Sequence, residues 1–156
     1  MSTSVLSAAD RRILRELQEN GRLSNNELAE RTGMSTSPCW RRTRALEDEG
    51  VIRGYRAELD PRKLGWGVLV FVLVQIDAHG EEDATAFERG VAALDEVIAC
   101  HSLGGAADFL LQVVARDLDS YAEFAMKVLR RLPGIKAMTS NFALKEIKPF
   151  RGLPVG

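Results

Sequence analysis

The sequence is short of the residues on which metal, disulfide and thiol chemistry depends. Its 156 residues include two cysteines and two histidines. Cys39 and Cys100 lie too far apart to form a CxxC pair, and neither histidine stands at metal-ligand spacing from them. Cys100 and His101 are neighbours on a predicted strand, where side chains point to opposite faces. We therefore expect no metal site, no cofactor and no disulfide, and unpaired thiols are typical of a reducing cytosol.

Motifs for catalysis are missing as well. The sequence contains no G-x-x-x-x-G-K-[ST] loop, and Gly65-Trp66-Gly67 is no dinucleotide fingerprint because it precedes a strand instead of opening a helix. No grouping of acid, base and nucleophile stands out along the chain. We therefore expect that the protein is not an enzyme.

Long apolar runs are absent too. The most apolar stretch, Val68–Ile76, is less than half the roughly 20 residues that a membrane helix needs, and its β-branched composition favours a buried strand. No charged segment followed by an apolar one suggests a signal peptide. We therefore expect a cytoplasmic protein with no membrane partner. The net charge is −1, so any nucleic-acid binding must come from a local basic patch.

What is present begins with two capped helices. Ser7 is a good N-cap for a first helix that should end near Asn20. Ser24 and Glu27 then form the S-x-x-E capping box of a second helix, which Gly33 should end in the left-handed conformation. Two helices joined by so tight a turn to a third predict a helix-turn-helix.

The third helix should begin at Ser35 or Ser37, since Pro38 is tolerated with either cap, and should end at Gly50. Between Ser35 and Leu46 it contains three arginines and no acid. In a helix-turn-helix this element enters the major groove, where cations, hydroxyls and a helix N-terminus hold phosphates while other side chains read bases. The pattern predicts a surface for double-stranded DNA formed by Ser35, Thr36, Ser37, Trp40, Arg41, Arg42 and Arg44. The alternative is a solvated basic face with Trp40 packed on a neighbouring helix.

The segment after the third helix should carry a wing. Val51–Leu59 is predicted to be a strand, and turn residues follow it at Asp60-Pro61 and Gly65. We therefore predict a DNA-binding domain over residues 1–60, a hinge linker over 61–67 and a second domain over 68–150.

The second domain contains two β-α-β units in tandem. The first runs through strand 68–76, a helix near 82–94 and strand 96–103, and the second through strand 108–115, a helix near 119–132 and strand 135–147. This order predicts a ferredoxin-like fold, with both helices on one face of a four-stranded antiparallel sheet. Because Val68–Ile76 is apolar on both sides, the other face should meet a second copy of the chain.

A glycine-containing loop between two of these strands, Ser102–Asp108, is a candidate ligand site. Paired glycines let backbone N–H groups approach a carboxylate closely, and Asp108 could accept an ammonium group. Those two features would suit the zwitterion of an amino acid. The alternative is a plain hairpin turn in which Asp108 caps a backbone N–H, and residue chemistry alone favours that alternative.

These elements together resemble the Lrp/AsnC, or feast/famine, family of transcription regulators, over a match that runs from about Leu6 to Lys148. The motifs that carry the resemblance are Asp10-x-x-Ile13-Leu14-x-x-Leu17-x-x-Asn20-Gly21-Arg22, Ser35-x-x-Pro38-Cys39-x-x-Arg42-x-Arg44-x-Leu46-Glu47-x-x-Gly50-Val51-Ile52, Cys100-His101-x-x-Gly104-Gly105-x-x-Asp108-Phe109-Leu110-Leu111, Leu132-Pro133-Gly134-Ile135 and Phe142–Lys148.

The resemblance implies an α+β protein with an N-terminal winged helix-turn-helix and a ferredoxin-like βαββαβ domain of the RAM or ACT type. It implies a homodimer that assembles into tetramers or octamers, and an amino acid or similar molecule bound between C-terminal domains. The effector-binding residues would be Ser102, Leu103, Gly104, Gly105, Asp108 and Thr139. Ala106, Ala107 and Asn141 depart from the residues common in the family, so effector identity does not carry over.

The resulting hypothesis is a sequence-specific transcription regulator whose DNA binding responds to an effector. One rival is an architectural DNA-binding protein that uses no ligand. Another is a regulatory subunit of an enzyme, which would use the N-terminal helices for protein contact and would not be retained on DNA.

Overall fold

The computed structural model of the chain describes residues 6–77 and 81–156, with no side-chain description for residues 81–83. His79 therefore lies outside the described residues. The chain divides into two compact units, one formed by the residues up to Glu58 together with Lys148–Gly156 and the other by Leu59–Ile147. We call them the helical unit and the sheet unit and describe each by itself. The residues of the predicted linker, 61–67, belong to the sheet unit, where Arg62–Leu64 forms a single 3-10 turn.

The helical unit consists of three short helices, α1 (Ala8–Glu19), α2 (Asn25–Thr32) and α3 (Thr36–Asp48). Their ends are set by the predicted caps. Ser7 and Asp10 form a capping box at α1, and Ser24 forms a second box with Glu27 at α2. Gly33 ends α2 at φ 66° in the left-handed region, where a side chain would be strained.

Helix α3 settles the choice that the sequence left open. Ser35 is its N-cap, so Pro38 lies at the third helical position, where the missing N–H costs no hydrogen bond. Behind α3 lies a small core that fixes the three helices against one another. Its fully or nearly fully buried members are Ile13, Leu14, Leu28, Ala29, Cys39 and Leu46.

The predicted wing strand Val51–Leu59 is wrong as regular structure. These residues form a bend and then an irregular segment. A strand needs a neighbour that completes its hydrogen-bond ladder, and the sheet that the described residues contain is built from four other strands. Tyr55 instead donates a hydrogen bond from its hydroxyl to Glu47 Oε1 at 2.9 Å.

The sheet unit follows the predicted β-α-β repeat. Its elements are β1 (Val68–Ile76), α4 (Glu81–Ala92), β2 (Val97–Ser102), β3 (Phe109–Ala115), α5 (Leu118–Lys127) and β4 (Ile135–Phe142). The strand order is β2-β3-β1-β4, and every neighbouring pair is antiparallel. This is the ferredoxin-like order, so the predicted fold is confirmed.

Helix α5 and strand β4 end about five residues before their predicted ends. Helix α5 ends at Lys127, and Leu129–Arg131 continues as a 3-10 turn because Pro133 forces the preceding residue, Leu132, into an extended conformation. Strand β4 ends at Phe142 instead of residue 147. Phe142 already lies opposite Val70, near the first residue of β1, so the partner strand is too short to pair with the whole predicted length.

The two faces of the sheet differ in what covers them. Val70, Val72 and Val74 of β1 are fully buried beneath both helices, in a core with Phe87 of α4 and Leu129 beyond α5. The residues that alternate with these valines point to the other face, which no helix of the described unit covers. That face is apolar at its centre, where it presents Leu69, Phe71, Leu73 and Leu110.

Candidate DNA-binding surface and effector loop

The outward side of α3 and its first turn form the candidate DNA-binding surface. Cys39 and Leu46 hold the inward side in the core. A helix that buries one side presents the residues between those anchors to solvent. Six of the seven predicted residues are exposed: Ser35, Thr36, Ser37, Trp40, Arg41 and Arg44. Trp40 is 55% exposed, so more than half of it is open to solvent in the helical unit.

Helix α2 braces the N-terminus of α3. Asn25 donates from its side-chain amide to the Thr36 carbonyl at 3.3 Å, and the Thr36 hydroxyl donates to Asn26 Oδ1 at 3.3 Å. Ser35 makes no side-chain capping bond. The Ser35 hydroxyl therefore does not occupy the N–H groups of Thr36 and Ser37 at the helix N-terminus, a position that binds anions in other proteins.

Arg42, the seventh predicted residue, is engaged inside the helical unit. Its Nε lies 3.1 Å from Asp10 Oδ1 in an ion pair, although the angle there is too bent for a hydrogen bond. Its terminal nitrogen donates to Asp10 Oδ2 at 3.4 Å and to the Ser7 hydroxyl. Burial raises the pKa of Asp10, but hydrogen bonds from Ser7 and the charge of Arg42 outweigh it and leave the pKa below its ordinary value. Asp10 thus caps α1 from the third helical position and also holds α3, and the second of these roles was not apparent from the sequence.

Arg44 lies near the acidic end of the same helix. Its guanidinium pairs with Glu47 at 3.3 Å, as the spacing of three residues predicts. Glu47 also accepts from Tyr55, and burial together with that hydrogen bond raises the pKa of Tyr55 to about 12. The pair is exposed enough for the Arg44 side chain to exchange Glu47 for another anion at little cost.

The loop between β2 and β3 lies against the end of β1. Asp108 donates its N–H to the Val74 carbonyl, and its Oδ2 accepts from the Ile76 N–H at 2.8 Å. Gln75 donates from its side chain to the Ala106 carbonyl at 2.5 Å. The backbone-capping role that was the alternative for Asp108 is therefore present in this chain.

Neither the backbone conformation nor the packing within a single chain requires glycine at positions 104 and 105. Neither has a positive φ, and a Cβ added to either would meet nothing within 4 Å. Turn geometry and close packing therefore do not account for the two glycines.

Thr139 is not brought next to this loop by the sheet of one chain. It lies on β4 opposite Leu73, on the face away from the helices. The loop lies against the end of β1, and β4 pairs with the other edge of β1, so one strand lies between Thr139 and Asp108 within a single chain.

Other chemistry at these elements is limited. Cys100 and His101 pair with Leu111 and Leu110, so they face opposite sides of the sheet. Burial and the nearby charge of Glu88 raise the pKa of the Cys100 thiol, which disfavours the reactive thiolate.

Within residues 6–77 and 81–156, no three side chains converge as metal ligands. Among the helices that the structure describes, none has the length and apolarity to cross a bilayer.

Two family models match the chain along most of its length. A winged helix-turn-helix DNA-binding model covers residues 6–53, and the Lrp/AsnC ligand-binding-domain model covers residues 69–153. The chain belongs to the Lrp/AsnC family. It is therefore a DNA-binding transcription regulator of that type, built from a winged helix-turn-helix and an α+β sheet domain.

Relatives of this Lrp/AsnC protein align with it nearly end to end. The DNA-binding transcriptional activator DecR of Escherichia coli K12 is 36% identical over 151 residues, which is 97% of this chain and 99% of DecR. The leucine-responsive regulatory protein of Rhizobium meliloti is 39% identical over 143 residues and 92% of each chain.

Solved structures agree with the fold. A transcriptional regulator of Neisseria meningitidis in complex with L-Met superposes with a TM-score of 0.93 at 39% identity, covering 97% of each chain. An AsnC-family regulator of Agrobacterium tumefaciens gives a TM-score of 0.91 at 37% identity, covering 96% of this chain and 97% of that one.

Proposed function

We propose that this Lrp/AsnC protein recognises specific DNA sequences through the exposed side of α3 and that an amino acid modulates this binding. It would do so in the cytoplasm and without catalysing a reaction. The observation that carries the DNA-binding proposal is the run of exposed hydroxyls and arginines along α3, held from behind by a buried core. A rigid element presenting charge and donors is what groove recognition requires.

Each residue of the surface has a proposed task. The hydroxyls of Ser35, Thr36 and Ser37, with the helix N-terminus, would bind backbone phosphates. Arg41 and Arg44 would contact phosphates or a guanine edge, for which the guanidinium is well shaped. Trp40 would pack against a sugar or a thymine methyl group.

Arg42 remains in the proposed surface with a second task. Its side chain is 39% exposed, so part of the guanidinium faces solvent while the rest pairs with Asp10. We propose that it fixes α3 on α1 and contacts a phosphate with the exposed part. Its loss would then weaken DNA binding partly by loosening the helix.

The effector proposal rests on Gly104, Gly105 and Asp108. Since neither glycine is needed by this chain's own packing, their exposed N–H groups would suit the close approach of an amino-acid carboxylate. The Asp108 carboxylate accepts one backbone N–H, and a carboxylate has about four acceptor positions. The relative from Neisseria meningitidis, whose complex contains L-Met, makes methionine the first candidate.

A second copy of the chain would complete that site. Within one chain, β1 lies between Thr139 and Asp108, so we propose that the loop of one copy meets Thr139 of another. The apolar face that carries Leu69, Phe71 and Leu73 supports a homodimer, because an uncovered apolar sheet face favours association. Tetramers or octamers of such dimers are the proposed assemblies.

Selection of DNA from a random duplex library by the full chain tests the function. We expect a defined sequence to be enriched, with an affinity whose logarithm falls linearly with log salt concentration. Thermal unfolding with each of the twenty amino acids should then identify an effector, and repeated DNA titrations should show its influence. Failure to retain any duplex at low salt would contradict the proposal.

The ligand-independent architectural protein is the second candidate function. The bonds that Asp108 and Gln75 make to neighbouring backbone favour it, because they give the loop a purpose without a ligand. That candidate predicts broad DNA selection and no thermal shift with any amino acid.

A further inference from the structure

The last residues of the described chain bind to the outer side of α1. Gln18 donates from Nε2 to the Leu153 carbonyl at 3.0 Å, and its Oε1 accepts from the Leu153 N–H at 2.6 Å. One side chain thereby satisfies both backbone groups of Leu153, as a neighbouring strand would. This paired contact spans 135 positions of sequence.

Two arginines extend the contact along the helix. Arg15 donates to the Val155 carbonyl at 3.4 Å, and Arg11 donates to the Gly156 carbonyl at 3.2 Å. Residues 11, 15 and 18 share one side of a helix because they are four and three positions apart. They bind backbone oxygens of residues 156, 155 and 153, so the bound segment runs antiparallel to α1.

Apolar packing and backbone shape fit the segment to this place. Val155 packs against the core behind α1, α2 and α3. Gly152 has φ 109°, which other residues rarely adopt, and a Cβ added to it would overlap Gln18 Oε1 and displace the amide that binds Leu153. Pro154 lacks an N–H and favours an extended conformation at Leu153. The segment is thereby restricted toward the bound shape before it binds, which lowers the entropy lost on docking.

We propose that Arg11, Arg15 and Gln18 form a peptide-binding surface on α1 whose occupant is residues 151–156 of the same chain. We call this attachment the clasp. The chain enters the helical unit again at Lys148, directly after the sheet unit. The clasp therefore makes a second link between the end of β4 and the DNA-binding helices, in addition to the chain at Glu58 and Leu59.

The position of the clasp gives it a regulatory use, which rests on the proposed function. Thr139 is on β4, and the residues after Phe142 lead from that strand to the clasp. Helix α1 in turn holds α3 through the ion pair of Asp10 with Arg42. A change at β4 caused by an effector would reach α3 through the clasp by favouring either its bound or its released arrangement, which is the two-state element that such coupling requires.

Hydrogen exchange in the full chain tests the clasp directly. In peptides covering residues 149–156, we expect the Leu153 N–H to be protected. Gly152→Ala and Gln18→Ala should each raise its exchange rate by about tenfold, since two hydrogen bonds are lost. Gly54→Ala is the matched control, because Gly54 also has a positive φ of 147° but its added Cβ would meet nothing within 4 Å. An unprotected segment in the wild-type chain, or equal exchange in all variants, would overturn the clasp.

Mixed chains decide whether the occupant is the same chain. When Gln18→Ala and Gly152→Ala chains are refolded together, an intramolecular clasp is broken in both, so exchange should stay fast. If the segment instead reached a second copy, mixed assemblies would contain intact pairs, and part of the protection would return. Such a recovery would overturn the assignment to the same chain.

DNA titration with and without L-Met tests the regulatory use. We expect Gly152→Ala to retain the thermal shift with methionine but to reduce its fold effect on DNA affinity, whereas Gly54→Ala keeps both. An undiminished effect in Gly152→Ala would overturn transmission through the clasp. If the wild-type chain shows no methionine effect, the proposed effector function fails together with transmission, and the exchange data still decide the clasp.

Discussion

The exposed side of α3 and the loop Ser102–Asp108 are both candidate sites, but the chain equips them differently. On α3 most of the candidate DNA-binding side chains are exposed. The helix is held from behind by the core of the helical unit, by Asn25 and by Asp10. In the loop, the groups with recognisable chemistry, such as Asp108, are already bonded to the neighbouring strand. On our proposal, one chain therefore presents a nearly complete candidate DNA-binding surface but only part of a candidate effector site. A ligand and a second copy would have to supply the rest.

The largest expected effects come from core substitutions, each of which should lower the stability of one unit and not of the other. Ile13→Ala should lower the free energy of unfolding of the helical unit by about 2–5 kcal/mol, and Phe87→Ala that of the sheet unit by about 3–5 kcal/mol, because both side chains are fully buried. Urea unfolding followed by hydrogen exchange should locate each loss in its own unit. Ile98→Ala, at an exposed position, should change stability by less than about 0.5 kcal/mol. Equal losses in both units would show that they unfold as one.

Removal of two arginines from α3 should affect DNA binding without affecting the sheet. Arg41→Ala combined with Arg44→Ala should reduce the slope of log affinity against log salt by about 1.8, since each lost phosphate contact accounts for about 0.9. Arg130→Ala combined with Arg131→Ala removes the same charge from the sheet unit and should leave the slope close to that of the wild type. Fluorescence titration at several salt concentrations measures both. Equal slopes in the two double variants would refute the α3 surface.

A substitution at Asp108 tests whether the loop binds an amino acid as proposed. Asp108→Asn keeps an oxygen that can accept from the Ile76 N–H but removes the charge proposed to bind an ammonium group. We expect the thermal shift with amino acids to disappear while the melting temperature without ligand changes by only a few degrees. Gln75→Ala, which breaks only the side-chain bond to the Ala106 carbonyl, serves as the comparison and should keep the shift. A retained ligand shift in Asp108→Asn would exclude the proposed role.

The smallest expected effect concerns the ion pair that holds α3. The pKa of Asp10 is lower in the folded chain than its ordinary value of 3.8. A lowered carboxyl pKa stabilises the fold above the unfolded pKa, and this contribution is lost as the pH falls through the folded pKa. Between pH 6 and 3, the wild type should therefore lose more stability than Asp10→Asn, by about 1 kcal/mol or less for a partly exposed pair. Urea titrations at each pH test this, and parallel curves would show that the pair contributes nothing.

The parts of the fold that the sequence predicted depend on neighbours close in sequence. Ser24 bonds to Glu27 three residues away, and Gly33 follows directly on the helix that it ends. The β-branched, apolar composition of Val68–Ile76 likewise indicated strand β1, but because this stretch is apolar on both sides it did not indicate that Val70, Val72 and Val74 would be the buried set. The prediction of a wing strand was wrong because a strand depends on a partner strand, and local composition does not indicate whether one is present.

The residues on the outward side of α3 could be predicted together, but the partner that each of them contacts could not. The spacing of Cys39 and Leu46 gave the inward side of α3, and the other residues followed from it. That Arg42 pairs with Asp10 could not be read from spacing, because the two residues are 32 positions apart.

Local sequence was enough to give the order of the helices and strands, the caps of α1 and α2 and the inward side of α3, because capping and periodicity act within a few residues. The contacts between distant groups became apparent only in the folded chain: Arg42 with Asp10, Asp108 with the end of β1, and Gln18 with the backbone of Leu153. A guanidinium, a carboxylate or an amide will bond to any suitable partner, and the path of the folded chain selects which partner lies within roughly 3 Å.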